Sequence, residues 1–133
     1  MSVDVEALTV KFLRAQTAIT DVVGDRVYTD LPHEREYPLV LVNRTGGGSL
    51  YRDWLEAAEI SIGCYGGTHK LAYTLAQTCV AVMSPAMVGA HVDGVVTKVK
   101  AQVVAYEPDA ESADKQGHAR PRFTVAVVVT AHP

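Results

Sequence analysis

Several short segments contain residue types that could support chemistry. The glycine-rich segment 46–49 has the composition of a phosphate-binding loop, but the lysine and the following hydroxyl residue of a P-loop are missing, and no helix is predicted to come next. The segment His33 to Glu36 partly resembles a zinc-protease motif, but Tyr37 stands where the second histidine should be. The sequence therefore predicts neither a phosphate site nor a zinc site, and we expect the glycines to form a flexible hairpin tip.

The remaining candidates for catalysis lack the neighbours that catalysis requires. Ser49, Ser61 and Cys64 have no nucleophile-elbow or cysteine-protease context. The histidines show no i,i+4 pairing and no companion cysteines, and the acidic residues between 107 and 119 lack the spacing and the central glycine of a calcium loop. We therefore predict no catalytic residues, no cofactor and no metal, and we expect that the protein is not an enzyme.

One group contains the residue types that are enriched where proteins touch one another. Tyr51, Arg52, Asp53 and Trp54 stand together just after the glycines, and Arg44 stands just before them. We predict that these five residues belong to a protein contact. The alternative is that Trp54 folds back onto the core of the domain while Arg52 and Asp53 pair on the surface, where such a pair contributes little stability.

Length and composition limit the class of protein. A chain of 133 residues fits one domain, spanning 1–133, and its 48% hydrophobic and 20% charged residues are ordinary for a globular protein. The net charge of −3 argues against binding nucleic acid through phosphate contacts. No apolar run approaches the roughly 20 residues that span a bilayer, and Asp4 and Glu6 stand where a signal peptide would be basic. We expect a protein made and used inside a cell, with Cys64 and Cys79 as small buried hydrophobes.

Hydrophobic periodicity predicts the elements that position these residues. An amphipathic helix is expected over 3–20, and a second helix is expected from an N-cap at Thr68 to Ser84. Residues 26–28 read as a short extended piece, and 38–42 as the start of a strand before the glycines. Longer strands are predicted over 57–65, 95–106 and 120–130, while 32–38 and 107–119 read as solvated loops.

The resulting fold class is α+β. We predict a mostly antiparallel sheet of about four strands with two helices packed on one face, in the order α-β-β-α-β-β. The strands are long for a small domain, and a long sheet edge with unpaired backbone groups favours pairing with other copies of the chain.

The order of these elements resembles the tail terminator, or tail-completion, proteins of long-tailed bacteriophages. The resemblance covers nearly the whole chain and is carried by three segments followed by an alanine-rich helix: Val22-Val23-Gly24-Asp25-Arg26-Val27-Tyr28, Tyr37-Pro38-Leu39-Val40-Leu41-Val42 and Cys64-Tyr65-Gly66. It implies a small subunit that assembles with itself into a ring, usually hexameric, on the last ring of the tail tube. Such a ring ends tube growth and presents a surface to the head-closure or connector protein.

The resemblance also implies a location and a set of partners. The protein would lie at the head-proximal end of the virion tail, after assembly in the host cytoplasm, and DNA would only pass through its lumen without specific binding. Arg44, Tyr51, Arg52, Asp53 and Trp54 then become candidate contacts to a neighbouring subunit or to the tail tube. Two alternatives stay open: a head-closure or other minor virion protein, and a small ligand-binding or enzymatic α+β domain.

Overall fold

The structure is a computed structural model that describes residues 3–51, 54–84 and 86–133. Its helices are α1 (Val5–Arg14), α2 (Thr17–Val23) and α3 (His69–Met83), with a short 3-10 turn at Ala110–Ser112. Its strands are β1 (Val27–Tyr28), β2 (Leu39–Tyr51), β3 (Leu55–Tyr65), β4 (Gly89–His91), β5 (Gly94–Tyr106) and β6 (Arg122–His132). In the described part of the chain, none of the helices is long and apolar enough to cross a membrane.

The described strands form one six-stranded sheet in the order β1-β2-β3-β6-β5-β4. Two long hairpins, β2–β3 and β5–β6, lie side by side through the antiparallel pairing of β3 with β6. These are the four strands that the sequence predicts. The prediction of a mostly antiparallel α+β sheet is therefore compatible with the structure, but it lacked the short edge strand β4 and the third helix, and it did not anticipate that β1 joins β2 in parallel.

The helix predicted over 3–20 is two helices, so this prediction was wrong. α1 ends at Arg14, and Gln16 is extended, with φ −91° and ψ 116°, before α2 begins. The change of direction at Gln16 lets apolar residues from both segments reach the core, since Leu13, Ile19 and Val23 are all fully buried. The second predicted helix is confirmed as α3, and the Thr68 side chain caps it by accepting a hydrogen bond from the backbone N–H of Leu71.

The core lies between the helices and one face of the sheet. The predicted alternation of β3 and β6 is confirmed, because Ile60, Ile62, Val125 and Val127 all point into this layer and are buried. The small residues of α3 let it lie close to the strands, and its buried stripe consists of Ala72, Leu75, Ala76, Cys79 and Met83. This layer positions the other face of the sheet, which the helices leave uncovered.

The two cysteines are part of this core, as predicted. Cys64 and Cys79 are fully buried, and the Cys64 thiol donates to the Cys79 sulfur over 3.8 Å. This hydrogen bond, together with burial, raises the pKa of the Cys64 thiol well above its usual range. Cys64 is therefore a neutral thiol at physiological pH, without the thiolate that nucleophilic chemistry requires.

Strand β5 departs from its predicted pattern. A regular strand would place Val95, Thr97, Val99, Ala101, Val103 and Ala105 on one face. Instead, register shifts occur between Val96 and Lys98 and between Val103 and Ala105, so Val96 is buried while Thr97 is exposed. An extra residue in one strand turns the following side chains to the opposite face, and a prediction that assumes strict alternation along the strand cannot anticipate this change.

The glycine-rich segment is not the hairpin tip that the sequence predicted. β2 continues through the glycines to Tyr51, and β3 begins at Leu55, so the chain reverses after the glycines. A register shift follows Arg44, and Gly47 has φ +92°, with the ideal position of a Cβ atom only 2.0 Å from the Ala57 carbonyl oxygen. At Gly47, the close approach of β3 and the positive φ both require glycine.

We expect Gly47→Ala to lower the free energy of unfolding by about 2 kcal/mol or more, because the methyl group meets backbone and the φ angle is strained. Gly48→Ala is the matched control, since a Cβ atom there meets no atom within 4 Å. Urea unfolding followed by circular dichroism measures both, and equal stability of the two variants would contradict the assigned strand register.

Candidate assembly surfaces

The face of the sheet opposite the helices, which we call the open face, is polar and partly exposed. It contains an open cleft of about 410 Å³, with Glu59 and Ser61 from β3 and Lys100 and Gln102 from β5 in its lining. A second open cleft of about 250 Å³ lies farther along the sheet, beside Asn43 and Arg122. Neither cleft is enclosed by the helices, so both present the sheet directly to a partner.

The two outer edges of the sheet are only partly covered. β1 pairs with Val40 and Leu41 of β2, and β4 pairs with 94–96 of β5. Within the described residues, the rest of each long strand has no strand partner on its outer side. Long unpaired edges of this kind are templates for strand addition.

Part of the β2 edge is closed by side chains. The Glu6 carboxylate of α1 accepts the backbone N–H of Arg44 over 2.7 Å, and the Asn43 amide donates to the Thr29 carbonyl over 2.8 Å. These bonds occupy the edge as far as Arg44. The segment 45–48 of β2 has no strand on its outer side in the described part of the chain.

Arg44, a predicted contact residue, has partners within its own subunit. Its guanidinium bonds the Glu56 carboxylate over 3.2 Å and the Gly46 carbonyl over 3.1 Å. Glu56 is only 8% exposed. Because an uncompensated buried charge is costly, this ion pair gives Arg44 a structural role in holding the bulged part of β2.

Trp54 follows neither of the two readings of the sequence completely. Its ring stacks on His132 at the end of β6, with centroids 4.2 Å apart and an angle of 13°, yet half of the residue remains exposed. Tyr51 ends β2, where it pairs with Leu55, whereas Arg52 and Asp53 lie outside the described residues. Of the two predicted contact residues whose side chains are described, Arg44 and Trp54, Trp54 is the one that places a large apolar group on the surface.

A polar network that no sequence pattern indicated ties two connectors, 32–38 and 107–119, to the sheet. The Tyr65 hydroxyl donates to Asp109 over 3.0 Å and accepts from Arg122 over 3.1 Å. Ser112 donates to the same carboxylate over 2.9 Å and accepts a hydrogen bond from Arg35. The prediction of a solvated loop over 107–119 fits most of its residues, which are exposed, but not Ser112, which is buried.

The network shifts the titration of its members without activating a nucleophile. Burial raises the pKa of Tyr65, and Asp109 adds to this although Arg122 opposes it, so the phenol stays protonated and acts as a donor. Burial also favours the neutral form of Asp109. Hydrogen bonds from Ser112, Tyr65 and the Glu111 backbone, with the charge of Arg122, outweigh burial and lower the pKa of Asp109. In the described residues, no three or more His, Cys, Asp or Glu residues are grouped to hold a metal ion.

We expect Asp109→Asn to lower the free energy of unfolding at pH 7 by about 1 kcal/mol or more, because a charged acceptor of three hydrogen bonds is lost. A carboxyl group with a lowered pKa stabilises the fold above its ordinary pKa of about 4, and this contribution disappears as the pH falls. The variant should therefore lose less stability than the parent as the pH falls from about 5 to about 3.

Glu111→Gln is the control, since it removes a neighbouring exposed carboxylate of the same loop. Urea titrations at several pH values test the expectation. Parallel pH profiles for the parent and Asp109→Asn would show that the network does not stabilise the fold through the charge of Asp109.

Comparison with solved structures adds a relationship in fold. No protein-family model and no curated protein matches the sequence. Among solved structures, the fold is similar to that of a chain described as part of the virion of a native gene transfer agent particle, with a TM-score of 0.61. The match covers 96% of this chain and 94% of the other at 16% sequence identity. At this identity the likeness establishes a common fold.

Proposed function

We propose that this chain is a structural protein of a tailed phage or phage-like virion. The support is the fold shared with a chain of a gene transfer agent virion over nearly the full length of both chains. A match of this extent includes both hairpins and the helices, so it is more than the likeness of one common helix-and-sheet unit. The proposed role requires no catalysis.

Within this class, we propose the role of a tail terminator. Copies of the chain form a ring, hexameric as in the family that the sequence resembles, on the end of the tail tube. The ring stops tube elongation and forms the tail side of the head–tail joint, where it meets the tail tube protein and a head-closure or connector protein. Its place is the head-proximal end of the virion tail, reached after assembly in the host cytoplasm.

One structural observation supports the ring most directly. The two incompletely covered strands, β2 and β5, lie toward opposite ends of the same sheet. A ring needs a head-to-tail contact in which one patch of a subunit meets a different patch of the next subunit. Two different open edges on opposite sides of the molecule meet this requirement, whereas a single edge would favour a closed dimer.

The charge of the chain is consistent with DNA passing through such a ring. The net charge is −3, and like charge disfavours close contact with phosphates. A mildly acidic ring therefore allows passage without specific binding.

We expect the chain to stop the growth of tail tubes. When tube protein polymerises on its initiator, added chain should yield short tubes with a ring at one end, because a bound ring blocks the next tube subunit. Electron microscopy of negatively stained mixtures gives tube lengths and end structures. A strictly monomeric protein that leaves tube length unchanged would refute the terminator role, and binding to the portal side alone would favour the head-closure alternative.

We expect Trp54→Ala to weaken assembly while it preserves the fold, because half of this large residue is exposed and available to a partner. Leu71→Ala is the matched control: Leu71 is a similarly exposed apolar residue, 47%, on α3. Light scattering and tube-capping assays measure assembly, and thermal melting measures the fold. Normal assembly by Trp54→Ala would remove this residue from the contact surface.

A further inference from the structure

We propose that the β5 edge of one copy pairs in antiparallel fashion with the β2 edge of the next copy, so that Lys100 lies opposite Gly46 and Lys98 lies opposite Gly48. This inference rests on the proposed ring and identifies the surfaces that would form it. Both strands have an outer side without a strand partner in the described part of the chain, from 45 on β2 and from 97 on β5.

The direction of the strands suits this pairing. Each step along β2, β3, β6 and β5 is antiparallel, so β2 and β5 run in opposite directions within one subunit. A rotation about an axis parallel to the strands leaves strand direction nearly unchanged. The β2 strand of a neighbouring copy in the ring therefore runs in nearly the same direction as the β2 strand of the first copy. Its β2 is therefore antiparallel to the β5 edge that it approaches, and the sheet continues from copy to copy.

Apolar side chains next to the β5 edge provide a further reason for pairing. Val99, Ala101 and Val103 face the helix layer and contact the core, yet they are only partly buried, as is Val80 on α3. They stay partly exposed because β4 begins only at Gly89, which pairs with Val96, so no strand of the described chain covers β5 beyond this point. An added strand would bury these side chains and satisfy the free backbone groups at the same time.

Charges on the open face favour β2 as the strand that is added. The Glu59 carboxylate lies over Gly46, with Oε2 2.6 Å from the ideal Cβ position of that glycine. Glu59 is exposed and has no ion pair among the described residues. Because Gly46 has no side chain, a lysine from a strand beyond β2 can reach this carboxylate.

Lys98 and Lys100 are the lysines on the opposite edge. Both are exposed on β5 and lack an ion pair in the described part of the chain. Within one subunit, Lys100 and Glu59 are separated by Val128, which is in register with both. The Glu59 carboxylate leans over Gly46, away from this lysine and toward the edge where the next copy would place its own.

The same lysines disfavour the main competing arrangement. Pairing of β5 with β5 across a two-fold axis would place the lysines of both copies on one narrow strip, and like charges on adjacent strands are destabilising. It would also leave the β2 edge unpaired. Lysines and bulges on an edge strand protect against indiscriminate strand addition, so the edge selects a partner with an acidic group beside it.

Cysteine cross-linking tests the pairing and its register. The double variant Gly48→Cys/Lys98→Cys, treated with copper phenanthroline in the assembled state, should give a ladder of covalent oligomers on a denaturing gel. An equimolar mixture of the two single variants should give dimers only. The native cysteines are fully buried, and Gly48→Cys/Val92→Cys is the control, since Val92 is fully exposed in the turn between β4 and β5.

Charge reversal gives an independent test. Glu59→Lys and the double variant Lys98→Glu/Lys100→Glu should each assemble about tenfold more weakly than the parent, and a mixture of the two should recover because opposite charges face each other again. Lys70→Glu, an exposed reversal on α3, should assemble normally. All variants should melt at the parent temperature.

The outcomes separate this inference from the proposed function. Rings that cap tubes but show neither cross-linking nor charge dependence would overturn the edge pairing while the terminator role stands. Disulfide-linked dimers of the single variant Lys98→Cys would show that β5 pairs with β5 across a two-fold axis, which would also overturn the pairing of β5 with β2. A ladder without any effect on tubes would support the edge pairing and refute the terminator role, and the absence of any oligomer, with or without tubes, would overturn both.

Discussion

The antiparallel pairing of β3 with β6 is the interaction on which the rest of the structure depends. It joins two hairpins that are far apart in the chain, matching residues 56–65 with 122–131 in continuous register. This register turns Ile60, Ile62, Val125 and Val127 to one face, where the helices bury them. The pairing of β3 with β6 also makes these two strands central. β2 then pairs with the free side of β3, and β5 pairs with the free side of β6.

The surfaces available for function follow from this arrangement. Because the helices cover one face, the other face keeps polar groups such as Glu59, Ser61 and Lys100 in contact with solvent. Because the edge strands β1 and β4 are short, most of the outer side of β2 and β5 has no strand partner in the described chain. The protein thus presents extended backbone and scattered charge, which suit contacts with other macromolecules more than the enclosure of a small ligand.

The connectors show how tertiary contacts modify a loop that composition alone describes as solvated. Asp109 receives hydrogen bonds from Tyr65 at the end of β3 and from Ser112 within its own loop, and Arg35 of the other connector bonds Ser112. The bonded pairs are 44, 57 and 77 positions apart along the chain. No local sequence pattern predicts such a network, because each of its members is an ordinary polar residue in the sequence.

The sequence by itself determined the elements whose patterns are local. The stripe and Thr68 cap of α3, the alternation of β3 and β6, and the burial of both cysteines depend on periodicity and residue type, and all were predictable. Only the tertiary structure decided the break at Gln16, the bulges of β5, the place of Gly47 inside a strand and the partners of Arg44 and Trp54. These depend on which strand or helix lies alongside, and contacts between residues distant in the chain leave no periodic trace in the sequence.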